Sequence, residues 1–288
     1  MIKLENVTKV FHPGTVNENL AINHVTLHVR PQDFITIVGS NGAGKTTLFN
    51  LISGSLYPSA GSIRIHEKNM SRVPEFRRAA HIGRIFQDPT LGTAANMSLE
   101  DNMVICSKKG FKGLRISLNS RLRETFQEEL KPLGMGLEDR LKDNVGLLSG
   151  GQRQALTLLM TVISRPDLLM LDEHTAALDP RNAQIVLDLT QNFITDYNLT
   201  AMMITHNMKH AIDYGNRLLM MDKGEIILDV AGDEKKRLTV DALVKKFHAI
   251  RKTEYATDED LLSTKLCPIP VKSSSVYLLS YVNTFRQY

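Results

Sequence analysis

A glycine-rich segment near the N-terminus constrains the fold of this chain more than any other feature. Residues 39–46, Gly-Ser-Asn-Gly-Ala-Gly-Lys-Thr, fit the pattern G-x-x-x-x-G-K-[ST]. An apolar run typical of a strand precedes them at 34–38, and a helical pattern follows at 45–52. Glycines let the backbone curl so that successive N–H groups converge on anionic oxygens, and the following helix N-terminus adds its positive dipole end. The sequence therefore predicts a phosphate-binding strand–loop–helix unit.

Two side chains of this segment carry specific chemistry. We expect Lys45 to reach the β- and γ-phosphates of a nucleotide and the Thr46 hydroxyl to ligate Mg²⁺. The rest of the loop would bind phosphate oxygens, mainly through backbone N–H groups. The predicted nucleotide-binding residues of this region are Gly39, Ser40, Asn41, Gly42, Ala43, Gly44, Lys45, Thr46 and Thr47.

An acidic pair follows a second apolar run. Residues 168–171 are typical of a buried strand, and Asp172 and Glu173 come directly after them. We expect Asp172 to hold Mg²⁺ through water, because this hard cation prefers oxygen ligands. Glu173 is then placed to polarise a water for in-line attack on the γ-phosphate. Alone, such a pair could equally be a solvated loop; only its combination with the glycine-rich loop makes the assignment strong.

Strand and helix patterns alternate along most of the chain, which predicts an α/β sheet. A mostly helical block at about 92–164 interrupts the alternation and is interpreted as an insertion. Asp179 before Pro180 is typical of a helix start, and Asp-Lys-Gly at 222–224 favours a hairpin turn. Residues 251–288 lack clear periodicity, and we interpret them as a poorly defined C-terminal tail.

Composition makes several protein classes improbable. The chain has 288 residues, of which 42% are hydrophobic and 23% charged, as in ordinary soluble proteins. No run reaches the roughly 18 apolar residues of a membrane span, and the N-terminus does not resemble a signal peptide. Two cysteines provide no disulfide framework, and a net charge of +4 is too mild for a nucleic-acid-coating surface. We therefore expect any role at a membrane to depend on a partner.

A third motif identifies the family. Residues 148–152, Leu-Ser-Gly-Gly-Gln, lie between the glycine-rich loop and the acidic pair and end 20 residues before Asp172. With these motifs in order, residues 1–250 resemble the ATP-binding subunit of an ABC transporter. The resemblance implies an α/β fold: a P-loop ATPase core with a mixed sheet, flanking helices and an N-terminal antiparallel β subdomain. The core would comprise 1–91 and 165–250, with a helical subdomain inserted at about 92–164.

The resemblance also implies roles for single residues. Phe11 resembles the aromatic residue that stacks on adenine, and His206 the switch histidine that contacts the γ-phosphate. Gln87 resembles the glutamine that links Mg²⁺ and the attacking water to the transmembrane partner. The segment 177–179 resembles the loop that crosses a dimer interface. Taken alone, Phe11 would more often be a core residue and His206 an ordinary strand-end histidine. The signature residues implied to contact ATP held by a second copy are Ser149, Gly150, Gly151 and Gln152.

The function implied by the resemblance is ATP hydrolysis, with ATP and Mg²⁺ as cofactors, at the interface of a head-to-tail homodimer. The subunit would power a membrane importer from the cytoplasmic face of the cell membrane. Its partners would be separate transmembrane permease subunits and an extracytoplasmic substrate-binding protein, without nucleic acid. His174 and Ala176 stand where many relatives carry Pro and Ser, and with 147–159 and 214–217 they resemble a bacterial importer branch linked to aromatic amino acid uptake.

Two alternatives remain open from sequence. Separate-chain exporters use a similar subunit, so an exporter ATPase is the main competitor. A soluble ABC ATPase acting on ribosomes or DNA fits less well, because translation-type relatives carry two cassettes and chromosome-type relatives carry long coiled coils. Here Lys45 and Leu148 are only 103 residues apart, without sustained heptads. A GTPase is disfavoured because no Asn-Lys-x-Asp motif occurs.

Overall fold

Strands and helices alternate along the chain, of which this computed structural model describes residues 1–107, 119–247 and 249. The strands are β1 (Ile2–Phe11), β2 (Asn19–Val29), β3 (Phe34–Gly39), β4 (Ala60–Ile65), β5 (Lys68–Asn69), β6 (Ile82–Ile85), β7 (Leu168–Asp172), β8 (Ala201–Ile204), β9 (Arg217–Asp222) and β10 (Glu225–Ala231). The helices are α1 (Lys45–Ser53), α2 (Glu75–Arg78), α3 (Leu99–Ser107), α4 (Ser120–Leu130), α5 (Gly150–Ile163), α6 (Pro180–Asp196), α7 (Met208–Asp213) and α8 (Gly232–Lys236), and residues 240–247 are also helical.

A six-stranded sheet in the order β10-β9-β3-β8-β7-β6 forms the centre of the fold. Its strands pair in parallel except for the β9–β10 hairpin, which is antiparallel. A second sheet, in the order β2-β1-β4-β5, is antiparallel throughout. The predicted α/β fold, with a mixed sheet, flanking helices and an N-terminal antiparallel sheet, is therefore confirmed.

The central strands are buried on both faces. Leu168 and Met170 of β7 join a core that contains α1 and the antiparallel sheet, whereas Leu169 and Leu171 join a core built with α3, α4, α5 and α6. Side chains alternate between the faces of a strand, so each face needs its own apolar cover. This explains why these strands have continuous apolar sequences.

Three predicted local features have the expected structure. Asp179 caps α6 by accepting a hydrogen bond from the Asn182 N–H at 3.1 Å, with Pro180 at the first helical position. Residues 222–224 turn the chain between β9 and β10. Helices α3, α4 and α5 lie between β6 and β7, as an insertion requires, although the exact subdomain boundaries stay a prediction.

The chain divides into two units, Met1–Leu243 and Val244–Tyr288. The predicted tail at 251–288 lies outside the described residues. In the part of the chain that the structure describes, none of the helices combines the length and apolarity needed to cross a membrane.

Candidate nucleotide-binding site

The glycine-rich loop connects β3 to α1 and is packed too tightly for larger residues at two positions. A Cβ added to Gly39 would lie 2.1 Å from the Met221 carbonyl oxygen, and one added to Gly44 would lie 2.6 Å from that of Ala21. Gly44 also has a φ of 96° directly before α1, in the left-handed region that favours glycine. The backbone thus approaches β2 and β9 while the N-terminus of α1 stays available to an anion.

Lys45 lies over the same loop. Its Nζ donates hydrogen bonds to the carbonyl oxygens of Gly39 at 2.9 Å and Ser40 at 3.0 Å, and only 5% of the residue is exposed. Burial lowers the pKa of Lys45, whereas the carboxylates of Glu173 and Asp172 act in the opposite direction. A cation is therefore held between the loop and the acidic pair.

The parallel sheet brings the acidic pair to this loop. β7 pairs with β8 and β8 pairs with β3, so the C-terminal ends of all three strands share one edge. Gly39, Asp172 and Glu173 lie at that edge, and His206 follows it by two residues. This is the edge at which ligands bind in open α/β sheets.

Glu173 and His206 are in direct contact. Glu173 Oε1 lies 2.5 Å from His206 Nε2, and Glu173 is largely buried while His206 is half-exposed. The backbone of Glu173 has a φ of 50°, a left-handed conformation that costs energy for a residue other than glycine. The contact with His206 restrains the carboxylate of Glu173 at this edge of the sheet.

A cleft of about 290 Å³ brings most of the predicted residues together. Phe11, residues of the glycine-rich loop, Glu173 and His206 all line it. A neighbouring cleft of about 560 Å³ places Gln87 beside Thr46, Asp172 and Glu173. The residues that line the first cleft are Phe11, Asn19, Ala21, Asn41, Gly42, Ala43, Gly44, Lys45, Thr46, Thr47, Glu173 and His206.

The second cleft is lined by side chains with the oxygen donors that a magnesium ion prefers. Thr46 offers a hydroxyl, Gln87 an amide oxygen and Asp172 a carboxylate, and all three line this one cleft. Mg²⁺ prefers such hard oxygen ligands and retains several waters. The donor set is therefore compatible with the predicted metal site.

Arg84 is a site residue that the sequence interpretation missed. Its Nη2 donates to Asp172 Oδ2 at 2.8 Å, and its Nη1 donates to Asn50 Oδ1 of α1 at 2.7 Å. Its guanidinium carbon lies 4.8 Å from the Phe86 ring centroid. The only signal in the sequence was a basic residue within an otherwise apolar strand.

The signature residues 149–152 lie outside both of these clefts. Ser149 caps α5: its Oγ accepts from the Gln152 N–H at 3.3 Å, and Gln152 Oε1 accepts from the Ser149 N–H at 3.1 Å. A Cβ on Gly151 would lie 2.8 Å from Asn182 Cγ, so the signature packs against the start of α6. Among the described residues, Ser149, Gly150, Gly151 and Gln152 line neither cleft. One chain thus contains the cleft and the signature as separate surfaces.

Comparisons with known protein sequences agree on one family. The ABC transporter family profile matches residues 22–176. Over 255 residues the chain is 39% identical to the tyrosine transport ATP-binding protein of Clostridioides difficile strain R20291, covering 86% of this chain and 98% of that protein. It is 33% identical to the methionine import ATP-binding protein MetN 2 of Bacillus anthracis, covering 79% of this chain and 65% of that protein.

A solved structure shows the same fold. The dimeric, post-hydrolysis state of an ATP-binding cassette bound to ADP and Pi matches with a TM-score of 0.66. The two sequences are 24% identical, and the match covers 80% of this chain and 98% of that one.

Proposed function

This chain belongs to the ABC transporter family as an ATP-binding subunit, and from this membership we propose that it powers a membrane importer by hydrolysing ATP at a head-to-tail dimer interface. The observation that carries the proposal is the cleft in which Lys45, Thr46, Glu173 and His206 converge beside Phe11. These residues come from four separate segments, and their types match the steps of phosphoryl transfer.

Nucleotide binding is the first step of the proposed mechanism. The N–H groups of the loop and the dipole of α1 attract the phosphates, while the adenine ring stacks on Phe11. Lys45 exchanges its two carbonyl contacts for phosphate oxygens, which suit an ammonium better because they carry charge. Thr46, Gln87 and Asp172 would hold Mg²⁺, which would supply positive charge that offsets the negative charge of the phosphates.

Hydrolysis requires a base and a group that orients it. Glu173 accepts the proton of the attacking water, and His206, whose Nε2 touches Glu173 Oε1, restricts the position of that carboxylate. Gln87 orients the water from the neighbouring cleft.

The separation of cleft and signature supports the dimer. Ser149 lies exposed at the N-terminus of the 14-residue helix α5, where N–H groups and a hydroxyl can meet an anion. In a head-to-tail pair, this surface closes over the nucleotide held by Lys45 of the other copy. ATP then stabilises the closed dimer, and hydrolysis reopens it.

The proposed cargo is an aromatic amino acid, with tyrosine as the first compound to test. The proposal rests on the name of the Clostridioides difficile relative, of which this chain covers nearly the whole length. The chain would act at the cytoplasmic face of the membrane, bound to permease subunits that receive cargo from an extracytoplasmic binding protein. The name of the methionine import relative favours import over export.

Affinity capture from solubilised membranes tests the assignment. The full chain should retain a polytopic membrane protein, and the two together in proteoliposomes with the binding protein should accumulate labelled tyrosine when ATP is supplied. Glu173→Gln is the matched control that should assemble but not transport. Recovery of ribosomes without a membrane protein would instead favour a non-transport ABC ATPase, and ATP-driven efflux would favour an exporter.

A further inference from the structure

A histidine–aspartate cluster lies on the edge of the central sheet opposite the nucleotide cleft. His81 and Asp167 directly precede the parallel strands β6 and β7, whereas Asp172 ends β7 at the cleft. Asp172 lies five positions after Asp167 along an extended strand, a span of about 16.5 Å at a rise of about 3.3 Å per residue. His66 directly follows β4 of the antiparallel sheet. The cluster thus combines three segments and is remote from the proposed chemistry.

The polar atoms of the cluster converge on one carboxylate oxygen. Asp167 Oδ2 lies 2.6 Å from His81 Nδ1 and 3.1 Å from His66 Nε2. The three candidate ligand atoms all lie within 4.8 Å of one another. Between 33% and 49% of each side chain is exposed, so the cluster is open to solvent on one side.

The backbone holds these residues in position. The Asp167 N–H donates to the His81 carbonyl oxygen at 2.8 Å, and the His66 N–H donates to the Met1 carbonyl oxygen at 2.9 Å. The side chains can therefore adjust by rotation while their Cα positions are restrained. Such restraint favours metal binding, because less conformational entropy is lost when the ligands are ordered.

We propose that His66, His81 and Asp167 bind a divalent transition-metal ion with the preferences of Zn²⁺, with water completing the coordination. Two imidazole nitrogens and one carboxylate oxygen are a donor set that suits Zn²⁺ and does not suit Mg²⁺. Zinc–nitrogen distances of about 2.0–2.1 Å place tetrahedral ligands about 3.3 Å apart. The two His–Asp separations differ from that value by about 0.2 and 0.7 Å, which side-chain rotation can supply.

The consequence is a cross-link between the two sheets. His66 belongs to the turn between β4 and β5, and its partners lie where β6 and β7 begin. An ion that binds all three residues in the folded state and few of them in the unfolded state raises stability by mass action. The cluster lies at the opposite edge from Lys45 and Glu173, so this stabilisation is expected without a change in ATP affinity.

Calorimetric titration of the metal-stripped full chain with ZnCl₂ tests the site. We expect one binding event whose dissociation constant rises at least about tenfold in Asp167→Asn and in His81→Gln, given that even indirect partners of a metal ligand change affinity by about 10–100-fold. His24→Gln, which alters an exposed histidine of β2, is the matched control and should keep the wild-type affinity. ZnCl₂ should also raise the unfolding temperature of the wild-type chain and of His24→Gln, but not of Asp167→Asn.

A replacement variant and a second metal ion distinguish loss of this site from unfolding and from metal binding by cysteine. If Asp167→Asn unfolds in the absence of metal, His66→Gln replaces it, because His66 lies in an exposed turn. Co²⁺ in place of Zn²⁺ should give a spectrum without a thiolate charge-transfer band, which would otherwise indicate binding by cysteine. Equal Zn²⁺ affinity in the wild type and in both cluster variants, or an equal loss in His24→Gln, would refute the site.

Discussion

Arg84 binds Asp172 through a 2.8 Å hydrogen-bonded ion pair in which only 11% and 13% of the two side chains are exposed. Asp172 is the residue proposed to hold Mg²⁺, and Arg84 also contacts Asn50 of α1. The pair therefore joins β6, β7 and the helix that follows the glycine-rich loop. It fixes the carboxylate and compensates its charge when no metal ion is bound.

Replacing Arg84 by methionine should destabilise the fold, because it removes the hydrogen-bonded ion-pair partner of the largely buried Asp172 carboxylate. Breaking a buried pair in this way costs about 3–5 kcal/mol, so urea denaturation in the absence of Mg²⁺ should show a loss of that order. Lys3→Met, which breaks the exposed pair with Glu67, is the matched control and should cost at most about 1 kcal/mol. An equal loss of unfolding free energy in the two variants would show that the Arg84–Asp172 pair contributes no more to stability than an exposed pair.

Lys45→Ala should abolish ATP binding. The variant removes the cation that the loop holds against the phosphates, along with its charge-assisted hydrogen bonds. Isothermal titration calorimetry with ATP should detect no binding, whereas Lys236→Ala, at an exposed position of α8, should bind like the wild type. Unchanged ATP affinity in Lys45→Ala would contradict the assignment of the phosphate loop.

Glu173→Gln should bind ATP but hydrolyse it very slowly, since an amide cannot accept the proton of the attacking water. Because ATP then persists between two copies, the variant should accumulate as a dimer on size exclusion in the presence of Mg²⁺ and ATP. Wild-type turnover in a phosphate-release assay would show that Glu173 is not the base. A monomer with bound, unhydrolysed ATP would argue against the head-to-tail interface.

Ser149→Ala separates a capping role from a role across the dimer. Loss of a helix cap costs about 1 kcal/mol, and Asn119→Ala at the cap of α4 should show a similar cost. Only Ser149→Ala should also lower ATP-dependent dimerisation, measured in the Glu173→Gln background, while the monomer keeps its ATP affinity. If both caps affect dimerisation equally, the signature makes no specific contact with the second copy.

Arg78→Met should reduce stability although Arg78 belongs to none of the motifs. The guanidinium is completely buried and donates to the carbonyl oxygens of Leu51 at 2.7 Å, Ile52 at 2.8 Å and Val73 at 2.9 Å. Without Arg78, the carbonyls at the end of α1 lose their partners, and each unsatisfied buried group costs about 1–3 kcal/mol. Arg77→Met, at the neighbouring exposed position, is the control for the thermal unfolding measurement.

Features with a local cause could be predicted from the sequence. The start of α6 matches the prediction because Asp179 and Pro180 begin the helix through adjacent backbone groups. The short elements α2, β5 and α8 were not predicted, because two to five residues are too few to show a periodic pattern. For Phe11 and His206, motif order gave a hypothesis, and the structure then placed both in the wall of one cleft.

The sequence by itself determined the phosphate loop, the acidic strand and the family, because each depends on neighbouring residues whose backbone geometry is local. Only the tertiary structure decided which distant side chains meet. Arg84 reaches Asp172 across 88 positions, and His81 reaches Asp167 across 86. These contacts follow from parallel strand pairing, which places the starts or the ends of separate strands at one edge of the sheet. No local pattern encodes that pairing, because its register is set by the apolar cores on both faces of the sheet.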